Sequence, residues 1–304
     1  MDSRSEKQLK VVLTGATGFI GSAVARALLD EGHEVLGISR RADQLQQEPE
    51  EGMRWSTLEE ADFSGFDAVV HLSGEPIFPG RWTQAKKDRI VTSRVEGTQE
   101  VVKKMAACST PPKVLLCASG SGYYGRRVDA PVAEDAPAGE GFLAQVCVDW
   151  EAAADEAEAL GCRVVQMRLG ILLGPGASAL NTMVPVFKWG IGGPLGSGKQ
   201  PLAWIDLRDV VDFISVALVR EDVSGPVNLV AGAPAQKDFA RALGKALSRP
   251  AFMPAPSFAI QLLYGEAASA VLGGQNVVCQ QLKDWGLAPK HSDLLTVLQD
   301  AIEA

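Results

Sequence analysis

Residues 11–21 read VVLTGATGFIG. An apolar, β-branched run ends at Thr14 and passes directly into three glycines, Gly15, Gly18 and Gly21, spaced G-x-x-G-x-x-G. Lys10–Thr14 has the near-continuous apolar character of a strand buried on both faces of a parallel sheet. Beyond the glycines, Ile20, Val24, Ala27 and Leu28 recur at the spacing of a helix's core face, and Gly32 stands where a helix C-terminus needs it. A glycine pattern alone is weak evidence, but a strand before it and a helix after it make it specific. Gly15 permits the tight turn, Gly18 lets backbone approach a pyrophosphate, and Gly21 lets the helix pack against the strand. The free N–H groups of the first helical turn then face the phosphates. This segment predicts a dinucleotide site.

Working outward, strands alternate with helices. Glu34–Ser39, Met53–Ser56, Asp67–Leu72, Lys113–Ala118 and Arg163–Leu169 read as further strands, with long helical patterns over 83–107 and 142–160. Successive βαβ units predict an α/β fold of Rossmann type, a doubly wound parallel sheet, over residues 10–173. After Leu173 the texture changes to glycine- and proline-rich stretches, GPGAS and GIGGPLGSGK among them, followed by short mixed elements. Residues 174–304 are therefore expected to form a smaller C-terminal lobe over the carboxyl edge of the sheet, a substrate or lid region with no core of its own. Trp82, Trp189 and Trp204 read as core packing or as apolar pocket walls.

The end of the second strand discriminates between cofactors. An acid there accepts hydrogen bonds from the ribose hydroxyls of NAD, whereas this chain has Ser39, Arg40 and Arg41. A guanidinium at that point suits a 2′-phosphate, so the expected cofactor is NADP(H). The fourth strand runs into Leu72, Ser73 and Gly74, where backbone passes close to the adenosine half of a dinucleotide.

A net charge of −8, with lysines and arginines scattered, lacks the basic footprint of a nucleic-acid binder, so no nucleic-acid partner is expected. No apolar run reaches the roughly 20 residues of a membrane span, so no membrane partner is expected either. Five cysteines in no C-x-x-C pair and three dispersed histidines argue for a reducing compartment and no metal site. The polar stretch MDSRSEKQLK has no secretory core. The expected location is cytoplasmic, or an organelle stroma or matrix if a transit peptide has been removed. The partner to expect is a small-molecule substrate or a regulatory ligand; nothing in the motifs fixes an oligomeric state.

The ordered motifs HLSGEPI (71–77), GRWT (80–83), SR (93–94), DWEAAA (149–154), RLGILLG (168–174), GGPLGSGKQ (192–200) and WIDLRDV (204–210) carry a resemblance that spans nearly the whole chain from Lys10. With PAP at 254–256 and GEAA at 265–268, the sequence resembles the atypical extended short-chain dehydrogenases/reductases, the epimerase-family proteins of the NAD-dependent epimerase/dehydratase superfamily that include a cell-division-inhibitor-like group. The resemblance implies an NADP-binding Rossmann fold with cofactor contacts at Thr17, Gly18, Phe19, Ile20, Ser39, Arg40, Leu72, Ser73 and Arg94. Arg94 reads either as a phosphate contact or as a surface arginine of a helix. Glu75 reads either as a wall of the nicotinamide pocket or as a cap on the next segment.

The proton machinery usual in that superfamily is missing. It relies on a Tyr-x-x-x-Lys pair, in which a lysine lowers the pKa of a phenol. Counted back from the WEAAA motif, those positions hold Leu143 and Cys147. Candidate substitutes follow the fifth strand: Ser121, Tyr123 and Tyr124, with Ser119 nearby. Asp149 and Glu151 read as surface or helix-pairing carboxylates. Two functions stay open: an NADP-dependent oxidoreductase or epimerase acting on a small carbonyl or sugar-like substrate, and a catalytically silent regulatory protein that senses NADP(H).

Arg40 supplies the sharpest test of the cofactor. A charge-assisted hydrogen bond contributes roughly 1.5–3 kcal/mol, and exposure puts this one at the low end, so Arg40→Ala should weaken NADPH binding about tenfold. NADH affinity should stay unchanged in the same calorimetric titration. Wild-type protein binding NADH as tightly as NADPH sinks the assignment.

Overall fold

The computed structural model describes residues 8–46, 51–78 and 80–303; most of the polar N-terminal stretch lies outside them. Chain order runs β1 (Lys10–Thr14), α1 (Phe19–Asp30), β2 (Glu34–Ile38), α2 (Ala42–Leu45), β3 (Met53–Ser56), β4 (Ala68–His71), α3 (Gln84–Ala106), β5 (Val114–Gly120), β6 (Arg127–Val132), α4 (Phe142–Asp155), β7 (Arg163–Leu169) and β8 (Ile171–Leu173). It continues through α5 (Ser178–Lys188), β9 (Trp204–Asp206), α6 (Leu207–Val219), β10 (Gly225–Leu229), α7 (Gln236–Ala246) and α8 (Ser257–Tyr264). It ends with α9 (Ala268–Leu272), β11 (Gln275–Val277), α10 (Gln280–Asp284) and α11 (Leu294–Glu303).

Seven parallel strands form the central sheet in the order β10-β7-β5-β4-β1-β2-β3. The order reverses between β1 and β4, and the crevice outside the carboxyl ends of those strands is where doubly wound sheets bind ligands. Strand alternation builds a core on each face. Val11 and Leu13 join α1 and α6 on one side, while Val12 joins α3 and α4 on the other. Every strand expected in the first half is present, and Gly32 takes a left-handed φ of +82° behind α1. The expected 142–160 helix ends as an α-helix at Asp155 and tightens into a 3-10 turn over Glu156–Leu160.

The second half differs from its expected form in two ways. The sheet does not end at residue 173, because β10 pairs along β7 with Asn228 opposite Arg168, and α6 packs in the same core as α1. The lobe beyond also has a core of its own, in which Leu180, Phe187, Trp204, Phe239, Leu243 and Leu298 are buried together. Glycine and proline in the linking loops hid this, because the apolar positions of α5, α7 and α11 lie far apart in sequence. Two further pairs, β6 with β11 and β8 with β9, stitch the lobe to the sheet's edge.

A chain ending at Leu173 lacks β10 and α6, which leaves β7 an open edge and strips cover from α1. It should aggregate when expressed. A soluble fragment with a cooperative melt contradicts this account.

Candidate functional site

The glycine turn is sterically compelled. Gly15 has a φ of +69°, and a Cβ there would stand 2.9 Å from the carbonyl carbon of Leu72 and 3.0 Å from Ser73 N. A Cβ on Gly21 would fall 2.1 Å from Gly15 O, so only glycine lets α1 lie this close to β1. Gly18 N donates to Gly15 O at 2.8 Å and Gly18 caps α1 with extended backbone, no capping side chain and no acid in the first turn. Thr17 and Gly18 are exposed, Phe19 and Ile20 half-buried. The first-turn amides are thus left for an anion.

Beside it, β4 ends on a fixed geometry. Leu72 N donates to Thr14 O and to Thr14 Oγ1, which lies 2.7 Å from His71 Nδ1. Burial pushes the His71 imidazole down to about 4, so it is neutral at physiological pH. Ser39 follows β2 and accepts from Arg41 N, while Arg40 and Arg41 extend into solvent with no ion-pair partner among the described residues.

Arg94 and Glu75 are both held by specific partners. Arg94 Nη1 donates to Glu75 O at 2.9 Å, its guanidinium stacks over Trp150 at 5.0 Å, and it lies against Gly74, whose absent Cβ would meet Cζ at 3.2 Å. This is no free surface arginine. Glu75 turns its carboxylate to Lys86 at 2.7 Å and Arg89 at 3.4 Å, and Lys86 first, then Arg89, holds it below the usual carboxylate range. Its backbone N–H donates to Ser93 Oγ. Ser93, Arg94 and Glu75 together pin the loop after β4 to α3.

Ser121, Tyr123 and Tyr124 occupy a 3-10 turn directly after β5. Tyr124 is fully buried; its hydroxyl donates to Asn228 Oδ1 at 2.8 Å and accepts from Arg168 Nη1 at 2.9 Å. Burial raises its pKa, and both sides of its oxygen are occupied, so Tyr124 drops out as a proton donor to a ligand. Tyr123 is half-buried with the Arg168 guanidinium 3.5 Å from its ring centroid, and among the described residues its hydroxyl and that of Ser121 have no protein partner. Leu143 and Cys147 stand across from this turn. A Cβ on Gly122 would lie 3.4 Å from Leu143 Cβ and 3.8 Å from Cys147 Sγ. Burial pushes the Cys147 thiol up to about 11.

Glu151 is not a surface carboxylate. It is buried, accepts two bonds from Arg168 at 2.9 and 2.8 Å, and accepts the Ser119 hydroxyl at 2.6 Å. Asp149 does keep to its own helix face, accepting from Gln145 at 2.8 Å. Sequence reading missed Glu134 and Asn228 in this cluster. Glu134 accepts the backbone N–H groups of Asn228 and Gln280, and Asn228 Nδ2 donates to Val278 O. The available signal was Arg168 itself, a charge inside the apolar strand RVVQMRL that requires buried partners. Trp82 and Trp204 are buried, but Trp189 is exposed.

The profile of the NAD dependent epimerase/dehydratase family matches residues 11–231. The chain belongs to that family. A second profile, a domain of unknown function (DUF1731), matches residues 255–301. Similar epimerase-family proteins include one from Mycobacterium bovis, 38% identical over 290 residues covering 93% of this chain and 94% of the relative. Another is SDR39U1 of Mus musculus, 35% identical over 300 residues covering 97% and 100%. The crystal structure of human epimerase family protein SDR39U1 with NADPH superposes with a TM-score of 0.86 at 33% identity, over 97% of this chain and 99% of that one. In this epimerase-family chain no described helix is long and apolar enough to cross a membrane.

The cluster around Arg168 is a stability element, and substitution should rank its members. Tyr124→Phe leaves Asn228 and Arg168 each short of one bond, for a loss of about 1–3 kcal/mol. Arg168→Leu strands the Glu151 charge in the interior, at about 3–5 kcal/mol. Thermal melts should therefore fall modestly for the first and steeply for the second; equal melts for Tyr124→Phe and wild type remove the cluster's structural role.

Proposed function

We propose that this epimerase-family chain is an NADP(H)-dependent oxidoreductase or epimerase acting on a small carbonyl or sugar-like substrate, without the Tyr-x-x-x-Lys pair. The observation that carries it is the pairing of a glycine-compelled phosphate turn with two unpartnered hydroxyls, Ser121 and Tyr123, at the carboxyl edge of β5. NADP(H) fits the residues present: the cradle would not admit a side chain at Gly15 or Gly21, and the α1 amides lack a cap. The human relative carries NADPH. Gly15 to Gly21 would hold the pyrophosphate, Ser39 and Arg40 the 2′-phosphate, and Leu72, Ser73 and Gly74 the adenosine side. Arg94, oriented by Trp150 and Glu75 O, would contribute its remaining N–H groups. Glu75 belongs to this site through its backbone, which positions Arg94.

When bound, the cofactor supplies or accepts a hydride. The chain's own part is to orient substrate and to move one proton at a hydroxyl. Tyr123 Oη is the preferred donor, because Arg168 under the ring fixes its plane, and Ser121 is the alternate. The lobe built on α5, α7 and α11 would close over the substrate. All five cysteines are free, which suits a reducing compartment, whether cytoplasm or an organelle stroma or matrix.

One observation favours a second reading, a catalytically silent NADP(H) sensor. Leu143 packs among Trp82, Ile90 and Val146, and the buried Cys147 thiol cannot stand in for a lysine ammonium at neutral pH. Turnover decides. Aldehydes, ketones and nucleotide sugars assayed by NADPH absorbance should reveal activity that falls about 10²–10⁴-fold in Tyr123→Phe or Ser121→Ala, as loss of a positioned acid does. Cys147→Ala should retain it. Tight NADPH binding with no turnover of any compound leaves the sensor.

A further inference from the structure

Nine large apolar side chains stand exposed among the described residues, and eight of them fall within residues 186–191 and 252–263. The two stretches are neighbours: Met253 N donates to Gly192 O, Ala255 N to Pro194 O and Gly196 N to Ala255 O, so they run side by side into α8. Trp189 is 83% exposed, Phe252 and Phe258 both 72%, and Leu262 71%. Helix α8, SFAIQLLY, has no charged residue, and Ile260 is its one buried side chain. Phe258 and Leu262, four apart, share a face of that helix. A helix apolar nearly all round does not belong in water.

The size of the face indicates what covers it. At roughly 200 Å² per aromatic side chain, the three aromatics alone present about 450 Å², and the other five side chains roughly double that. The largest apolar patch on a typical monomer is about 300–600 Å², and a standard protein interface takes about 800 Å² from each partner. Charge separates the candidates. Residues 250–264 carry no charge and 174–205 no acid, with Lys188 and Arg249 at the rim and Arg81 donating to the Leu263 carbonyl. Anionic bilayers are held by clusters of about 4–8 basic residues, more than the three that border this face, and the net charge of −8 opposes that approach. A neutral, aromatic- and Met-containing centre with a charged rim is the composition of a protein interface. Such a centre can meet its own copy about a two-fold axis without setting like charges together.

We propose that this face is where a second copy of the chain docks, with α8 against α8 of the partner. Sedimentation of the full-length protein at micromolar concentration should give twice the mass of one chain. The double variant Phe258→Glu, Leu262→Glu should halve that mass while keeping the near-ultraviolet circular dichroism and melting temperature of wild type. Val219→Glu, at the exposed apolar residue outside the face, should leave the dimer intact. Gln261→Cys, between the two seam positions, should give a disulfide-linked dimer on mild oxidation that wild type does not. This cross-link keeps the test decisive if the double variant fails to fold. A monomeric wild type, a dimer indifferent to the double variant, or no cross-link at Gln261→Cys each overturn the proposal.

Discussion

One buried guanidinium organises the carboxyl edge of this molecule. Arg168 sits mid-sheet, where an unpaired charge is prohibitively costly and water does not reach it. Four hydrogen bonds from it are met by protein, and the acceptors come from three different parts of the chain. Glu151 comes from α4, the Tyr124 hydroxyl from the turn after β5, and the Glu134 carbonyl from the segment behind β6. The Glu134 carboxylate then collects backbone donors from β10 and α10. Satisfying one charge fixes how the sheet, the turn carrying Ser121 and Tyr123, and the C-terminal segments meet. Networks of this kind specify a unique packing when every member is satisfied.

Sequence patterns made much of this visible. The strands of the first half carried long β-branched runs and the helices a regular apolar spacing, so local signals agreed with tertiary ones. The glycine turn was readable because its constraint is steric and local: Gly21 approaches Gly15, six residues away. The buried acids were not readable. Whether Glu151 faces water or Arg168 depends on which face of α4 meets the sheet, and alternation within one element cannot tell. Tyr123 and Tyr124 illustrate the limit most clearly. They are adjacent and identical in sequence, yet one is sealed by Asn228 and Arg168 while the other keeps a free hydroxyl.

The two halves of the site differ in character. The phosphate side is a sterically compelled glycine turn, against which the neutral His71 and Thr14 hold the end of β4. Across from the turn carrying Ser121 and Tyr123 stand an isobutyl group, Leu143, and a buried thiol, Cys147, in place of any charged or phenolic side chain. The pyrophosphate cradle rests on backbone geometry, where no side chain is tolerated at Gly15 or Gly21. Proton transfer rests on side chains, which are replaceable.

The position of β10 also bears on how the polypeptide reaches this structure. Its partner β7 is made first, and two more strands and two helices are synthesised before β10 can cover that edge. Parallel pairing over such separations pays loop-closure entropy before any contact rewards it, which makes this edge slow to form. Until β10 is made, the emerging Rossmann half presents an open apolar sheet margin, the kind of surface that makes folding intermediates prone to aggregate. The same long-range pairing hydrogen-bonds the segments on either side of the loops between β7 and β10, so that proteolytic nicking there would leave two fragments held in one body.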